Sequence, residues 1–500
     1  MKKLGLILLS ILLLIGCNEK EIEKKIEKNA HPTLIVEDYN GIDPEKMDQY
    51  SMAMVFSPED ATIKGTQKVN YINKENTSLG EVYFHLYPNS FRKKETAPFL
   101  MDNFDRAYPN GFNPGYINIE KVLVDGEPID YEFKGDGQTI MKVSLAKVLE
   151  PNDEALIEMT YIIKIPPAQE RFGYGDNTFN LGNWYPIAAV YDESGWNLDP
   201  YYPLGDPFYS DISNYHVHIE TPKDFIVAAS GNILKDEVVG SKRNWDIEAK
   251  LMRDFAVVMS KDFEVVKKDV EGTTLKMYFM EDVKQGRADL AIEAAEKSLK
   301  TFNRAYGKYP YGQYSVVQTN FPSGMEYPGI VFIDKNAYTN DYGNYLEMVI
   351  VHETGHQWWY GVVGNDEIDE AWLDESLTSY SEVVYAREIF GKQKGREYHK
   401  YMHEEQYNDV ASTITNETIL RPLNEFEGWE DYGTLVYNKG AMFLNTIYEK
   451  YGEEKFYEIM KKYYEAYRFK NVTTEDFKRI CEEVTGDDLD SLFNKWLLAQ

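Results

Sequence analysis

Cysteine is nearly absent: Cys17 and Cys481 are the two copies in 500 residues. Cys17 lies in an N-terminal leader, so no intramolecular disulfide is expected and the fold must rest on packed cores. Positive charge is scarce as well. There are 53 Lys and Arg against 83 Asp and Glu, a formal net charge of -30 at pH 7. Such a surplus argues against nucleic acid or an anionic membrane surface as a partner and favours solubility. Long apolar runs are missing except Leu4 to Ile15, which is too short to span a bilayer as a stable helix.

That short run follows Met1-Lys2-Lys3 and ends in Leu14-Ile15-Gly16-Cys17, which resembles the processing box of bacterial lipoproteins. The expectation is a signal peptide over 1–16 and a lipidated Cys17 with a charged, flexible tether over 17–32. The protein would then be held on a bacterial membrane, facing the exterior or periplasm. Cys481 lies in an apolar helical pattern and reads as a small core residue. The remaining chain, 43% apolar and 14% aromatic, is too long for one core and divides into two or three domains.

From about Met47 apolar residues alternate with polar ones: Val69 and Tyr71; Val82, Phe84 and Leu86; Ile157, Met159, Tyr161 and Ile163. Period two predicts half-buried antiparallel strands. Tyr215, Val217 and Ile219 face a core in this pattern, leaving His216 and His218 on the outer face with no carboxylate predicted nearby. Asp125-Gly126 and Ser230-Gly231-Asn232 mark turns. The aromatic-rich stretch from Asn180 to Asp211 reads as long surface loops. An antiparallel β-sandwich over 33–265 results.

Near residue 285 the period changes. Ile292, Ala295, Leu299, Phe302 and Tyr306 predict an amphipathic helix, and Ser315 to Thr319 a short strand. Then comes VHETGHQWWYGVVGNDEIDEAWLDESLTSY, residues 351–380. His352 and His356 are four apart and share one helix face, so both can reach one Zn²⁺. Glu353 sits beside them as the base for an attacking water. Glu375, at the opening of a second helix, is the natural third ligand. Asp366, Asp369 and Asp374 are candidate partners of the two imidazoles.

These residues resemble the gluzincin metallopeptidases of the aminopeptidase N type, peptidase family M1. Eighteen residues separate His356 from Glu375, which lies in Trp372-Leu373-Asp374-Glu375, and His356-Gln357-Trp358 matches the family's His-Gln-Trp. The resemblance runs from about residue 45 to the C-terminus. It implies a saddle-like β-sandwich followed by a mostly α, thermolysin-like catalytic domain with a small sheet, over 266–500. It also implies an extended cleft segment at Ser323-Gly324-Met325-Glu326-Tyr327. Gly324 and Met325 would there pair with substrate backbone, and Glu326 would hold a free N-terminal amine. Ser323, Gly324 and Tyr327 depart from the family's Gly-Ala-Met-Glu-Asn. Tyr437, followed by Asn438-Lys439-Gly440, takes the place of the tyrosine that stabilises the oxyanion.

The resemblance further suggests a short form without the large C-terminal helical domain of many relatives, and hence a more open site. Thr473 to Asp476 can cap a late helix, and DDLDSLFNKW over 487–496 closes the chain. The expected function is a zinc-dependent aminopeptidase acting on peptides with a free N-terminus. A zinc endopeptidase or dipeptide-releasing enzyme of the same fold is the alternative. A non-catalytic surface peptide-binding protein is the alternative from another class.

Overall fold

In the computed structural model the chain is described over residues 32–99, 103–281, 283–339 and 343–499. The leader, Cys17 and nearly all of the tether lie outside them. Period-two segments pair into an eight-stranded sheet. Its spatial order is Asn232–Val239, Lys242–Met252, Ser213–Pro222, Gln49–Ser57, Thr62–Ile72, Glu154–Lys164, Tyr116–Val124, Glu127–Pro128. The pairings are antiparallel except Gln49–Ser57 with Ser213–Pro222, which run parallel. Two four-stranded sheets share one buried core with it, into which Val69, Val82, Ile157 and Val217 project. Asp125 and Gly126, at φ 52° and 85°, form the two-residue turn whose backbone twist suits a hairpin.

Two local expectations change. His216 is exposed, but His218 faces Asp246 across the strand pair, with Nδ1 2.7 Å from the carboxylate. A single register position supplies the partner that linear sequence hides. The 180–211 stretch is largely interior: Trp184 donates from its ring to Phe255 O at 3.0 Å and Tyr185 OH to Asp254 at 2.9 Å. Aromatic rings with a polar tip are buried once that tip finds an acceptor.

The second body begins with a five-stranded sheet, ordered Glu264–Val270, Thr273–Phe279, Gln313–Thr319, Ile330–Asp334, Gly324–Met325. Helix α1 (Gln285–Ala305) buries Ala295, Leu299 and Phe302. It packs beside α2 (Tyr345–Gly355) and α3 (Trp372–Phe390). The chain continues through α4 (Lys392–His399), α5 (Gly440–Tyr467), α6 (Thr474–Thr485) and α7 (Asp490–Leu497). Thr473 and Asp476 form a reciprocal capping box at α6, and Cys481 is buried within that helix.

The expectation of a short form lacking a C-terminal helical domain is overturned. Residues from about 400 to 497 form a substantial helical body. Its apolar faces close on each other: Phe443 lies 5.0 Å from Phe493, and Trp372 of α3 lies 5.8 Å from both Phe443 and Phe477. Met402, Gln406, Trp429 and Thr434 from this body wall one side of the central cavity. Among the described residues no helix is long and apolar enough to cross a membrane.

Candidate active site

Helix α2 carries Leu346, Ile350 and Val351 into the core, and His352 and Glu353 ride in with them. His356 caps its C-terminal end. The neighbouring α3 enters with Trp372, Leu373 and Asp374 buried, which brings Glu375 against both imidazoles. The two Nε2 atoms are 3.1 Å apart, and each is 3.3 Å from Glu375 Oε2. Ligands about 2.0–2.2 Å from a tetrahedral zinc stand about 3.3–3.4 Å from one another. The three atoms are therefore spaced as ligands of one such ion would be.

The outer nitrogens settle the tautomers. His352 Nδ1 donates to Glu382 at 2.6 Å, and His356 Nδ1 donates to Asp374, with Thr378 Oγ1 at 3.1 Å. Both Nε2 lone pairs then face Glu375 Oε2, a buried oxygen with no hydrogen-bond donor. Two imidazole nitrogens and a carboxylate oxygen converge at this spacing, a donor set that fits one Zn²⁺ per chain. Burial alone would lower the His352 pKa, yet Glu375 and Glu382 push it up to about 10. His356 likewise overcomes burial through Asp374 and stands well above the usual range. This pocket calls for positive charge.

Glu353 lies beside the ligands; burial pushes its carboxyl up to about 7, although the two imidazoles oppose the shift. Gly324 passes so close that a Cβ there would collide with Glu353 Oε1. Tyr437 donates its hydroxyl to Glu375, its ring stacked on His352 at 5.8 Å. Glu326 is buried with Oε1 unpartnered, and its ligand atoms lie within 4.8 Å of those of His356 and Asp374, and of Asp206 and Glu375. Met325 is fully buried, its sulfur accepting from Arg171 Nε at 2.9 Å.

Of the acids considered as imidazole partners, Asp374 fills that role. Asp366 accepts from Ile368 N and Asp369 N instead, and Asp366 and Asp369 line a different cavity. Glu382 was missed, although it stands seven residues after Glu375 on the same helix face. Asp206 and its partner Arg171, 2.7 Å apart, were also missed. They come from the sandwich, and no local pattern marks them. Gln357 clamps the cleft segment, accepting from Gly329 N at 2.8 Å and donating to Glu326 O at 3.2 Å. Tyr327 extends under Gly182 and donates to Asn183 at 2.8 Å, which accounts for its bulk. His352, Glu353, His356, Glu375, Glu326 and Tyr437 line a cavity of about 600 Å³, with Arg171, Asp206 and Glu382 on its wall.

Comparison with known proteins agrees with this geometry. The chain is 28% identical to leukotriene A-4 hydrolase of Xenopus laevis over 208 residues, and 22% identical to aminopeptidase M1-B of rice (Oryza sativa subsp. japonica) over 305 residues. The matches cover 39% and 58% of this chain but only 33% and 34% of those proteins, so the chain spans about a third of their length. In fold it is similar to an M1 zinc metallopeptidase from Deinococcus radiodurans. The TM-score is 0.65 at 15% identity, covering 90% of this chain and 93% of that one. Residues 290–496, which carry every zinc-ligand candidate, match the Peptidase family M1 domain.

Proposed function

We propose that this protein is a zinc-dependent aminopeptidase that removes single residues from the free N-terminus of peptides. His352, His356 and Glu375 would hold the metal, which when bound supplies a Lewis acid and lowers the pKa of water. Glu353 takes the water's proton and returns it to the leaving amine. Tyr437, on the cavity wall beside Glu375, is the phenol available to the developing oxyanion. The segment with Gly324 and Met325 runs alongside the cavity as the backbone partner of an extended substrate.

The observation that carries the N-terminal specificity is the buried, unpartnered Glu326 oxygen beside Glu375 and Asp206. An isolated buried carboxylate is costly, and an ammonium restores the balance. A peptide's free amine has that charge; an internal residue does not. Glu326 would thus fix the amine one residue from the scissile bond. Among the solved structures of similar fold, a mutant of the Deinococcus radiodurans metallopeptidase is described as bound to a Tyr-Ser-Ala substrate, and a short peptide in that fold favours this reading.

The test uses one unlabelled peptide and its N-acetylated twin, with products read by mass spectrometry. Stepwise N-terminal loss from the free peptide only, abolished by Glu353→Gln with zinc content intact, is the expected result. Internal cleavage of both peptides would move the activity to an endopeptidase. The reading also includes a lipid anchor on Cys17; metabolic labelling with a fatty-acid analogue should mark the protein and fail on Cys17→Ser.

A further inference from the structure

A further cavity of about 600 Å³ lies away from the zinc cluster, between the margins of the two sheets. The sandwich contributes Lys235, Asp236, Arg243 and Trp245; the catalytic sheet contributes Lys267 and Lys276. Four cations thus meet one acid in a chain whose net charge is -30. Two are already engaged. Arg243 grips Asp236 through two bonds of 2.6 and 2.7 Å while lying over Trp245, and Lys235 pairs with Glu237 at 2.8 Å.

Lys267 and Lys276 differ. Neither side chain makes an ion pair or hydrogen bond among the described residues, and the two occupy directly opposite positions on adjacent antiparallel strands. Opposed like charges destabilise a strand pair, and acids are abundant enough in this chain to have separated them. Lys276 is also buried, being 8% exposed. Burial first, and Lys267 second, pull its ammonium down to about 8. Its stem is buried while the ammonium, with no counter-charge beside it, reaches the cavity, where a bound anion would supply that charge.

We infer that this cavity is a binding site for a small doubly charged oxyanion of the phosphate class, held between Lys267 and Lys276. Side chains directly opposite on such a pair stand roughly 5 Å apart at Cβ, a gap one tetrahedral dianion can bridge. Arg243, already fixed by Asp236 and stacked on Trp245, forms the wall on the sandwich side. An anion seated there would tie the edge of the sandwich to the edge of the catalytic sheet.

The experiment needs no peptide and reads independently of peptidase activity. Melting temperature and calorimetric binding are measured for the whole protein with inorganic phosphate, with glycerol phosphate, and with sodium chloride at matched ionic strength. Phosphate should raise the melting temperature where chloride does not, because a ligand that binds only the folded state stabilises it. Binding of glycerol phosphate as well as phosphate would indicate a phosphoryl group on a larger molecule, and phosphate alone the free ion. Lys276→Met should melt higher than the parent in chloride, since the charge opposed to Lys267 is gone, yet bind phosphate about tenfold or more weakly. Lys267→Gln, which removes the opposed charge at an exposed position, should weaken binding while melting no lower than the parent in chloride. Absence of phosphate-specific stabilisation in the parent, or binding by both variants equal to the parent's, would overturn the assignment.

Discussion

Glu382 holds the outer nitrogen of His352 and in turn accepts the Tyr398 hydroxyl. Its substitution separates orientation from ligation. Glu382→Gln should leave the fold intact and weaken zinc affinity about 10–100-fold, read by competition with a chelator. Asp254 offers a test of linkage. It is buried and accepts from Tyr185, Asn183 and its neighbour's backbone N–H, yet burial holds it up to about 6. A carboxyl raised in the folded state is stabilised by protonation there. Its contribution is full below the unfolded value near 4 and is lost as pH rises through about 6, a span worth about 3 kcal/mol. Asp254→Asn should flatten the fall in melting temperature between those pH values.

At the scale of elements, α2, α3 and the cleft segment are held together by contacts too tight for substitution. Gly324 is the clearest case, because a methyl group there would run into the Glu353 carboxylate. Gly324→Ala should lower kcat by about 10²-fold or more while zinc content and melting temperature stay close to the parent, since only the base is displaced. Alternation and helical periodicity made the strands and α1 legible, and the His-Glu-x-x-His spacing marked α2 as a metal helix. The 180–211 stretch was not legible. Its density of Trp, Tyr and Asn suits surface and interior equally, and Trp184 and Tyr185 go inside because acceptors from residues 254 and 255 await them.

Across the whole molecule, Arg253 joins the bodies. It donates to Tyr360 O at 3.0 Å, Ser210 O at 2.5 Å and Lys470 O at 3.3 Å, linking sandwich, zinc-helix turn and C-terminal body. Arg253→Met would leave the Tyr360 and Ser210 carbonyls buried without that donor and should cost about 3 kcal/mol, seen as a lower melting temperature. The C-terminal helices belong to this scale too. Counting them in sequence was possible, but that the segment before them, from Met402 to Asn438, walls one side of the cleft follows only from the packing.

By itself the sequence determined the zinc triad, the Glu353 carboxylate beside it and the order of a β body before an α body. Those rest on local spacing, since residues four apart on a helix or two apart on a strand share a face wherever the element lies. Tertiary structure decided what reaches the site from afar. The Asp206–Arg171 pair arrives from the sandwich, Glu326 is pinned by Gln357 across 31 residues, and Tyr437 reaches Glu375 across 62. It also brought Lys276 and Lys267 under Arg243. Such meetings are made by packing between bodies, and packing leaves no period in the chain to read.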